Sequence, residues 1–276
     1  MVAQAASVER GVMVGRALTE LETLLGELSD LERARALARW DQATKMPPGG
    51  ASTRAQQLAT LERLAHERFT SERTGALIAA AEQELAAGDG DPVRARVVAE
   101  ARRLYERDRR VPLELAVERA RAASEGYRTW VAARRDGNLA EYLPVVERNF
   151  ALAREYASCL RGAGFACAYD ALLDAFAPGL RVQRAEALLY ELRDELTPIV
   201  AQLGAHTIDR SVLERRYPVE AQRRLVRTVL AWMGFDERSW RLDDTVHPFE
   251  TSLSPHDVRI TTRYDEHHFP TALYGA

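Results

Sequence analysis

The chain has 276 residues, of which 46% are hydrophobic and 29% are charged, a composition typical of a globular protein rather than a disordered one. The 38 basic and 41 acidic residues are mixed along the whole length and give a formal net charge of -3, which argues against a surface dedicated to nucleic acid. Charges interrupt every apolar run and no signal-like segment opens the chain, so we expect neither a membrane span nor export, and we predict a cytoplasmic location.

Helices are predicted over most of the first 245 residues. Leu18, Leu21, Leu25 and Leu28 lie on one face of a first helix, which is expected to end at the prolines and glycines of residues 46–50. A second helix begins near Ser52 or Thr53, either of which can cap it. Further helices are predicted over about 71–87, 92–110, 112–135 and 139–163, briefly after 169, and over about 183–203 and 218–233.

The segment DVRITTRYD (257–265) predicts a β-strand. Its residues alternate, so that Val258, Ile260, Thr262 and Tyr264 face one side, while Asp257, Arg259, Thr261 and Arg263 face the other. We therefore predict an all-α fold with one short strand or hairpin near the C-terminus. Residues 1–245 form the helical body, and residues 246–276 form the strand segment and a helix start within the same structural domain.

Arginine supplies nearly all of the positive charge, because Lys45 is the only lysine in the chain. Two cysteines, Cys159 and Cys167, are too few and too isolated for a disulfide framework. We expect both to be reduced and mostly buried.

Two histidine-containing segments are similar to metal sites in composition only. His66 begins the sequence HERFT, which departs from the HExxH pattern at Thr70, so a solvated histidine on a helix face is expected. His267 and His268 follow Asp265 and Glu266. Because the side chains of adjacent residues point in different directions, we expect a solvated helix start here, with a residual metal site built from these residues as the alternative.

The polar face of the predicted strand holds Arg259 and Arg263 about 7 Å apart, at about 3.3 Å per residue. A planar guanidinium holds a carboxylate by two hydrogen bonds, so such an arginine beside a cleft can bind the C-terminus of a peptide. From the spacing alone, an arginine paired with the helical body is an equal alternative.

Five segments together resemble the carboxypeptidase Taq family of zinc metallocarboxypeptidases. HPF at 247–249 and DVRITTRYDE at 257–266 are similar to the HPF and DxRxT signatures of that family. WDQATKMPPGGASTRAQQLATL at 40–61, YDALLDAFAPG at 169–179 and YPVEAQRRLVRTVLAWMGFD at 217–236 are similar to further family segments, in family order. The resemblance covers the chain from about residue 15 to its end.

The resemblance implies a helical fold that walls a groove, a homodimer, and removal of single residues from peptide C-termini with zinc or cobalt. Only the substrate side carries over residue by residue: His247 and Phe249 of HPF, and Asp257, Arg259 and Thr261 of DxRxT. Arg259 is then the candidate for binding the substrate carboxylate. Asp257 is expected to orient a neighbour, and Thr261 to make local hydrogen bonds.

In that family, the segment resembling YDEHHFPTALYGA (264–276) leads into a helix with HExxH, which supplies two zinc-binding histidines and the catalytic glutamate. Residues 1–276 do not contain this motif. We therefore expect a truncated family member that has no catalytic residue, binds no metal and does not act as a peptidase alone. Apolar surface left exposed predicts a homo-oligomer, most simply a dimer. A non-enzymatic protein that binds peptides or oligomerises is the alternative.

Overall fold

The computed structural model describes residues 15–88, 91–204, 209–213 and 215–275. Its internal contacts divide the chain into two units. The first comprises Met1–Arg35 and Ala51–Ala171, and the second comprises Ala36–Gly50 and Leu172–Ala276. The expected boundary at residue 245 stays a prediction.

The first unit is built from helices. Helix α1 (Arg16–Thr44) contributes its residues up to Arg35. Six further helices follow: α2 (Ala51–Phe69), α3 (Glu72–Ala87), α4 (Pro92–Asp108), α5 (Leu113–Asp136), α6 (Leu143–Cys159) and α7 (Ala168–Leu173), the last of which belongs to this unit up to Ala171. Helix α5 packs against both α2 and α6, while α3 packs against α4. The helix ends follow local chemistry, since Ser71 and Asp91 cap α3 and α4, and Gly137 adopts a left-handed conformation after α5.

The core of the first unit lies where α1, α3 and α4 meet. It contains the buried residues Leu18, Leu21, Leu24, Ile78, Ala81, Val98, Ala101 and Tyr105. The ring of Tyr105 meets Phe69 edge to face at 6.2 Å, and its hydroxyl donates to the carbonyl oxygen of Ser71 at 3.3 Å. The backbone of Gly75 lies so close to this tyrosine that a Cβ atom built on the glycine would come within 2.7 Å of the ring carbon Cζ.

The second unit joins helices to a small sheet. It contains the end of α1, a 3-10 turn (Pro48–Gly50), α8 (Val182–Gly204), α9 (Val219–Trp232), β1 (Trp240–Asp244), β2 (Glu250–Ser254), β3 (Asp257–Thr262) and α10 (Phe269–Gly275). Strand β3 is central: β1 pairs with it in parallel, and β2 pairs with it antiparallel. Its residue Ile260 packs with Val226 and Leu230 of α9 and Ala272 of α10 in the core of this unit.

The predicted helical fold with β structure near the C-terminus is confirmed, and the β segment is larger than expected. Strands β2 and β3 form the hairpin, whereas β1 was not predicted. The sequence predicted that Arg263 and Tyr264 continue the strand, one on each face. This prediction is wrong, because β3 ends at Thr262 and both residues lie beyond it. Instead, the guanidinium of Arg223 lies 4.3 Å from the centre of the Tyr264 ring.

Two further expectations about single side chains need correction. Cys159 and Cys167 are free, but Cys167 is exposed and Cys159 is only partly buried. His66 is not simply solvated, since its Nε2 atom lies 3.1 Å from the carbonyl oxygen of Val111. This contact connects the His66 side chain to the backbone at Val111, so the residue contributes to the packing of the first unit.

Within the described part of the chain, the helices are all too short or too polar to cross a membrane.

Candidate functional site

The DxRxT residues share one face of β3 because side chains alternate along a strand. Thr261, which is fully buried, connects this motif to HPF. Its hydroxyl accepts a hydrogen bond from the backbone N–H of Phe249 and donates one to the Phe249 carbonyl oxygen, each at 2.7 Å. The backbone N–H of Thr261 donates to the same carbonyl oxygen at 3.0 Å. Three hydrogen bonds thus fix the backbone of Phe249 against β3.

Arg259 is held by two neighbours. Its Nε and Nη2 atoms donate to the two carboxylate oxygens of Asp257 at 2.9 and 3.1 Å. Its Cζ atom lies over the ring of Trp40, 4.4 Å from the ring centre, near the end of α1. The hydrogen bond from Arg259 lowers the pKa of Asp257, so this carboxyl group is charged at neutral pH. Only 16% of the Arg259 side chain is exposed.

A second arginine lies directly opposite the first. Arg241 of β1 pairs in register with Arg259, and its guanidinium lies 5.0 Å from the same Trp40 ring. Its Nε and Nη2 atoms donate to the carboxylate of Asp243 at 2.6 and 2.9 Å. Two forked arginine–aspartate pairs therefore lie side by side over one buried tryptophan.

Asp243 also binds a second cation. The Nζ atom of Lys45 lies 2.7 Å from Asp243 Oδ1, the oxygen that Arg241 Nη2 also contacts. Burial raises the pKa of Asp243, but the hydrogen bonds and charges of Arg241 and Lys45 outweigh burial, so the pKa lies below its ordinary value. The carboxylate is 4% exposed, whereas the side chains of Lys45 and Arg241 are 50% and 51% exposed.

Sequence reasoning missed Trp40, Lys45, Arg241 and Asp243. A hydrogen bond from the Thr245 hydroxyl to the Ala43 carbonyl oxygen, at 3.2 Å, helps to place them by joining the end of α1 to the end of β1. Contacts between residues about 200 positions apart leave no local pattern. Two weak signals existed, namely the alternation of Arg241 and Asp243 in WRLDD and the presence of the only lysine in the WDQATK segment.

Four of the five residues predicted to bind the substrate lie close together in the structure, and the fifth, His247, lies in the loop between β1 and β2. Phe249, Asp257, Arg259 and Thr261 lie on β3 or directly beside it. His247 is exposed and precedes β2. A role in substrate binding stays a prediction for all five residues.

Zinc requires three or four nitrogen, sulfur or carboxylate ligands around one point. Across residues 15–88, 91–204, 209–213 and 215–275, no three histidine, cysteine or acidic side chains converge in this way. His267 and His268 are exposed, Glu266 pairs with Arg216, and Asp265 Oδ1 accepts from the N–H of His267 at 2.9 Å. The described residues do not fit a zinc site.

A cleft of about 370 Å³ lies beside β1 and the end of α9. Its walls are mainly apolar, with contributions from Leu230, Phe235, Trp240 and Leu242. Arg241 also lines the cleft, so this residue belongs both to the cleft and to the arginine pair at Trp40.

Comparison with known proteins connects this geometry to a family. The model of the carboxypeptidase Taq (M32) metallopeptidase family matches residues 20–276. Thermostable carboxypeptidase 1 of Thermus thermophilus is 39% identical over 258 residues, which are 90% of this chain and 51% of that protein. Carboxypeptidase 1 of Bacillus subtilis is 32% identical over 93% of this chain and 51% of its own length.

Solved structures agree with the sequence relatives. The BsuCP crystal structure superposes with a TM-score of 0.88 and 31% identity, covering 94% of this chain and 52% of that one. The M32 carboxypeptidase of Deinococcus radiodurans gives a TM-score of 0.76 and 33% identity, with 94% and 51% covered. The chain thus spans about half the length of these relatives. On the family match and these likenesses, the chain belongs to the carboxypeptidase Taq (M32) family of metallopeptidases.

Proposed function

We propose that this chain provides the helical scaffold and the carboxylate-binding face of a metallocarboxypeptidase, a protein that removes residues from peptide C-termini. The observation that carries the proposal is the junction of the two motifs on β3, where Thr261 fixes Phe249 and Arg259 stands two residues away on the same face. The guanidinium groups of Arg259 and Arg241 lie beside this junction against Trp40. Guanidinium groups in such a rigid setting are suited to a terminal carboxylate, because they give both charge and direction.

We further propose that residues 1–276 taken alone do not hydrolyse peptides. The printed sequence has no HExxH motif, and metal-assisted hydrolysis needs zinc ligands together with a base beside the metal. No step of the reaction is therefore assigned to residues of this chain, whose part is to hold and orient the substrate. The predicted cytoplasmic location is likewise a proposal, which cell fractionation tests.

The direct test is an assay of the purified 276-residue chain with an N-blocked dipeptide and added zinc or cobalt. We expect no release of the C-terminal amino acid and no stoichiometric metal by elemental analysis. Thermostable carboxypeptidase 1 of Thermus thermophilus, assayed in parallel, is the positive control. Release of amino acid together with one metal ion per chain would overturn the second proposal. Peptide binding without hydrolysis would favour the alternative of a peptide-binding protein.

We also propose that the protein forms a homodimer through α8. None of the residues of this helix is buried, and its apolar side chains recur at spacings of three and four: Val182, Ala185, Leu189, Leu192, Leu196, Ile199 and Leu203. This heptad spacing is typical of a helix that packs along another helix. A second copy of the chain presents the same apolar stripe and can therefore pair with it.

Sedimentation equilibrium tests the dimer with two matched double variants. We expect twice the mass of the 30.9 kDa chain for the unmodified protein. L192E together with L196E places charges in the apolar stripe and should give the monomer. A187E together with A201E adds the same charges to the opposite face of α8 and should leave the dimer intact. An unmodified protein that is monomeric at high micromolar concentration would contradict the proposal, even if α8 then bound a different partner.

A further inference from the structure

We propose that Lys45 and Arg241 form a binding site for the carboxylate of a peptide C-terminus, with Arg259 as a structural neighbour rather than the main ligand. The inference rests on the proposed carboxylate-binding function and moves its centre from β3 to the junction of β1 with the end of α1. Three observations support it: the engagement of Arg259, the convergence of Lys45 and Arg241, and the role of Trp40.

The guanidinium of Arg259 is already engaged on several sides. Its Nε and Nη2 atoms are occupied by the two oxygens of Asp257, and its Cζ atom lies over the ring of Trp40. With only 16% of its side chain exposed, little of this arginine remains for a ligand. A substrate carboxylate would have to displace Asp257, which is itself a carboxylate held by two good hydrogen bonds. Arg259 and Asp257 are therefore best understood as a closed pair.

The group formed by Lys45, Arg241 and Asp243 differs from this closed pair in two ways. It has two cations around one aspartate, and its cationic side chains are more exposed to solvent. Both cations contact the same oxygen of Asp243, and the charge of Asp257 also acts on Arg241. Each of the two side chains is half exposed, while the carboxylate between them is almost fully buried. Two cations that converge on one point and remain open to solvent are suited to a second, incoming carboxylate.

Trp40 gives this site rigidity. Its ring is buried and lies against both guanidinium groups, which restricts the rotation of Arg241 and holds it in line with Arg259. A preorganised arginine loses less conformational entropy when it binds a ligand. Trp40 is thus a positioning residue for Arg241.

The single lysine makes the proposal directly testable. Biosynthetic incorporation of lysine enriched in ¹³C at Cε leaves the three N–H donors of the ammonium group unchanged and labels Lys45 alone, so NMR gives one lysine signal. The probe is N-acetyl-alanyl-leucine, and the matched ligand is the same dipeptide with a C-terminal amide. We expect a saturable shift of the Lys45 signal with the acid and none with the amide.

Two variants define the site further. R241Q should weaken binding of the acid about tenfold or more, because a charged hydrogen bond is lost. R238Q is the control, since Arg238 is 90% exposed and pairs only locally with Asp236 two residues away. Circular dichroism confirms that each variant is folded. If R241Q does not fold, the acid and amide comparison on the unmodified chain still decides the matter.

Calorimetry separates this inference from the function on which it rests. If the acid binds by calorimetry but neither shifts Lys45 nor depends on Arg241, the carboxylate site is elsewhere and only this inference fails. If the acid does not bind at all, the proposed carboxylate-binding function fails with it. Equal shifts of Lys45 with inorganic phosphate and with the dipeptide acid would indicate a general anion site, and would overturn the assignment to peptide C-termini.

Discussion

Replacing Gly75 by alanine is expected to destabilise the protein by about 1–3 kcal/mol, although alanine is the better helix former. The added Cβ atom would lie 2.7 Å from Cζ of Tyr105, well inside van der Waals contact. Tyr105 cannot easily move away, because it is buried among core residues and packs edge to face against Phe69. Urea denaturation followed by circular dichroism measures the effect.

A matched control for this prediction is Gly26 of α1, where an added Cβ atom meets nothing within 4 Å. G26A should therefore stabilise the protein by about 0.5–1 kcal/mol. Combining G75A with Y105L, which shortens the obstructing side chain, should cost less than the sum of the two single changes. Similar effects of G75A and G26A would show that α3 and α4 are not packed as closely as described.

Replacing Asp243 by asparagine is expected to lower the free energy of unfolding at pH 7 by about 1–3 kcal/mol. The change keeps the shape of the side chain but removes the charge that Arg241 and Lys45 share. Both cations can still reach water, so the cost lies in the lost charged hydrogen bonds and not in a buried unpaired charge.

The dependence on pH follows from the lowered pKa of Asp243. A carboxyl group whose pKa is lower in the folded state stabilises the protein above its unfolded pKa, about 3.9, and loses this contribution as the pH falls through the folded value. The difference between the unmodified protein and D243N should therefore be full at pH 7 and shrink below about pH 4. Urea denaturation across this range measures it, and a difference that persists at the lowest pH would contradict the assignment.

Asp136 provides the control for this second prediction. Arg135 holds its carboxylate by the same forked geometry, at 2.7 and 2.9 Å, but both side chains are exposed at the end of α5. Solvent weakens such a pair, so D136N should leave stability unchanged within error. The two aspartates thus contrast a buried carboxylate that binds two cations with an exposed carboxylate that binds one.

Periodicity was sufficient to predict the helices because their signals are local. The leucines of α1 and the prolines and glycines that follow it lie within one stretch of sequence, and the structure ends α1 at Thr44 as that pattern indicates. The hairpin of β2 and β3 was also accessible, since its strands are adjacent in sequence. Strand β1 was not, because it is five residues long, carries three charges and pairs in parallel with a strand 17 residues further on.

Only the part of the candidate site that comes from one stretch of sequence could be predicted, because contacts between distant segments leave no local signal. Asp257, Arg259 and Thr261 could be placed on one face from their spacing, and their order in the chain revealed the family resemblance. Trp40 and Lys45 could not be connected to Arg241, because the contact joins a helix end to a strand about 200 residues later. The expectation that Arg259 offers its fork to a substrate did not include Asp257 as the group already in that fork.

The hydrogen bonds of Thr261 to Phe249 can form only if the hairpin has the right number of residues between the two motifs. A turn of two residues, Pro255 and His256, separates the strands, and an irregularity between Ser252 and Ser254 adjusts their register. Adding or removing one residue inside the paired part of β2 or β3, between Phe249 and Thr261, would reverse which side chains face each way. The hydroxyl would then point away from Phe249, and Arg259 would leave Trp40. The spacing between the two motifs is therefore as much a part of the site as the residues that they contain.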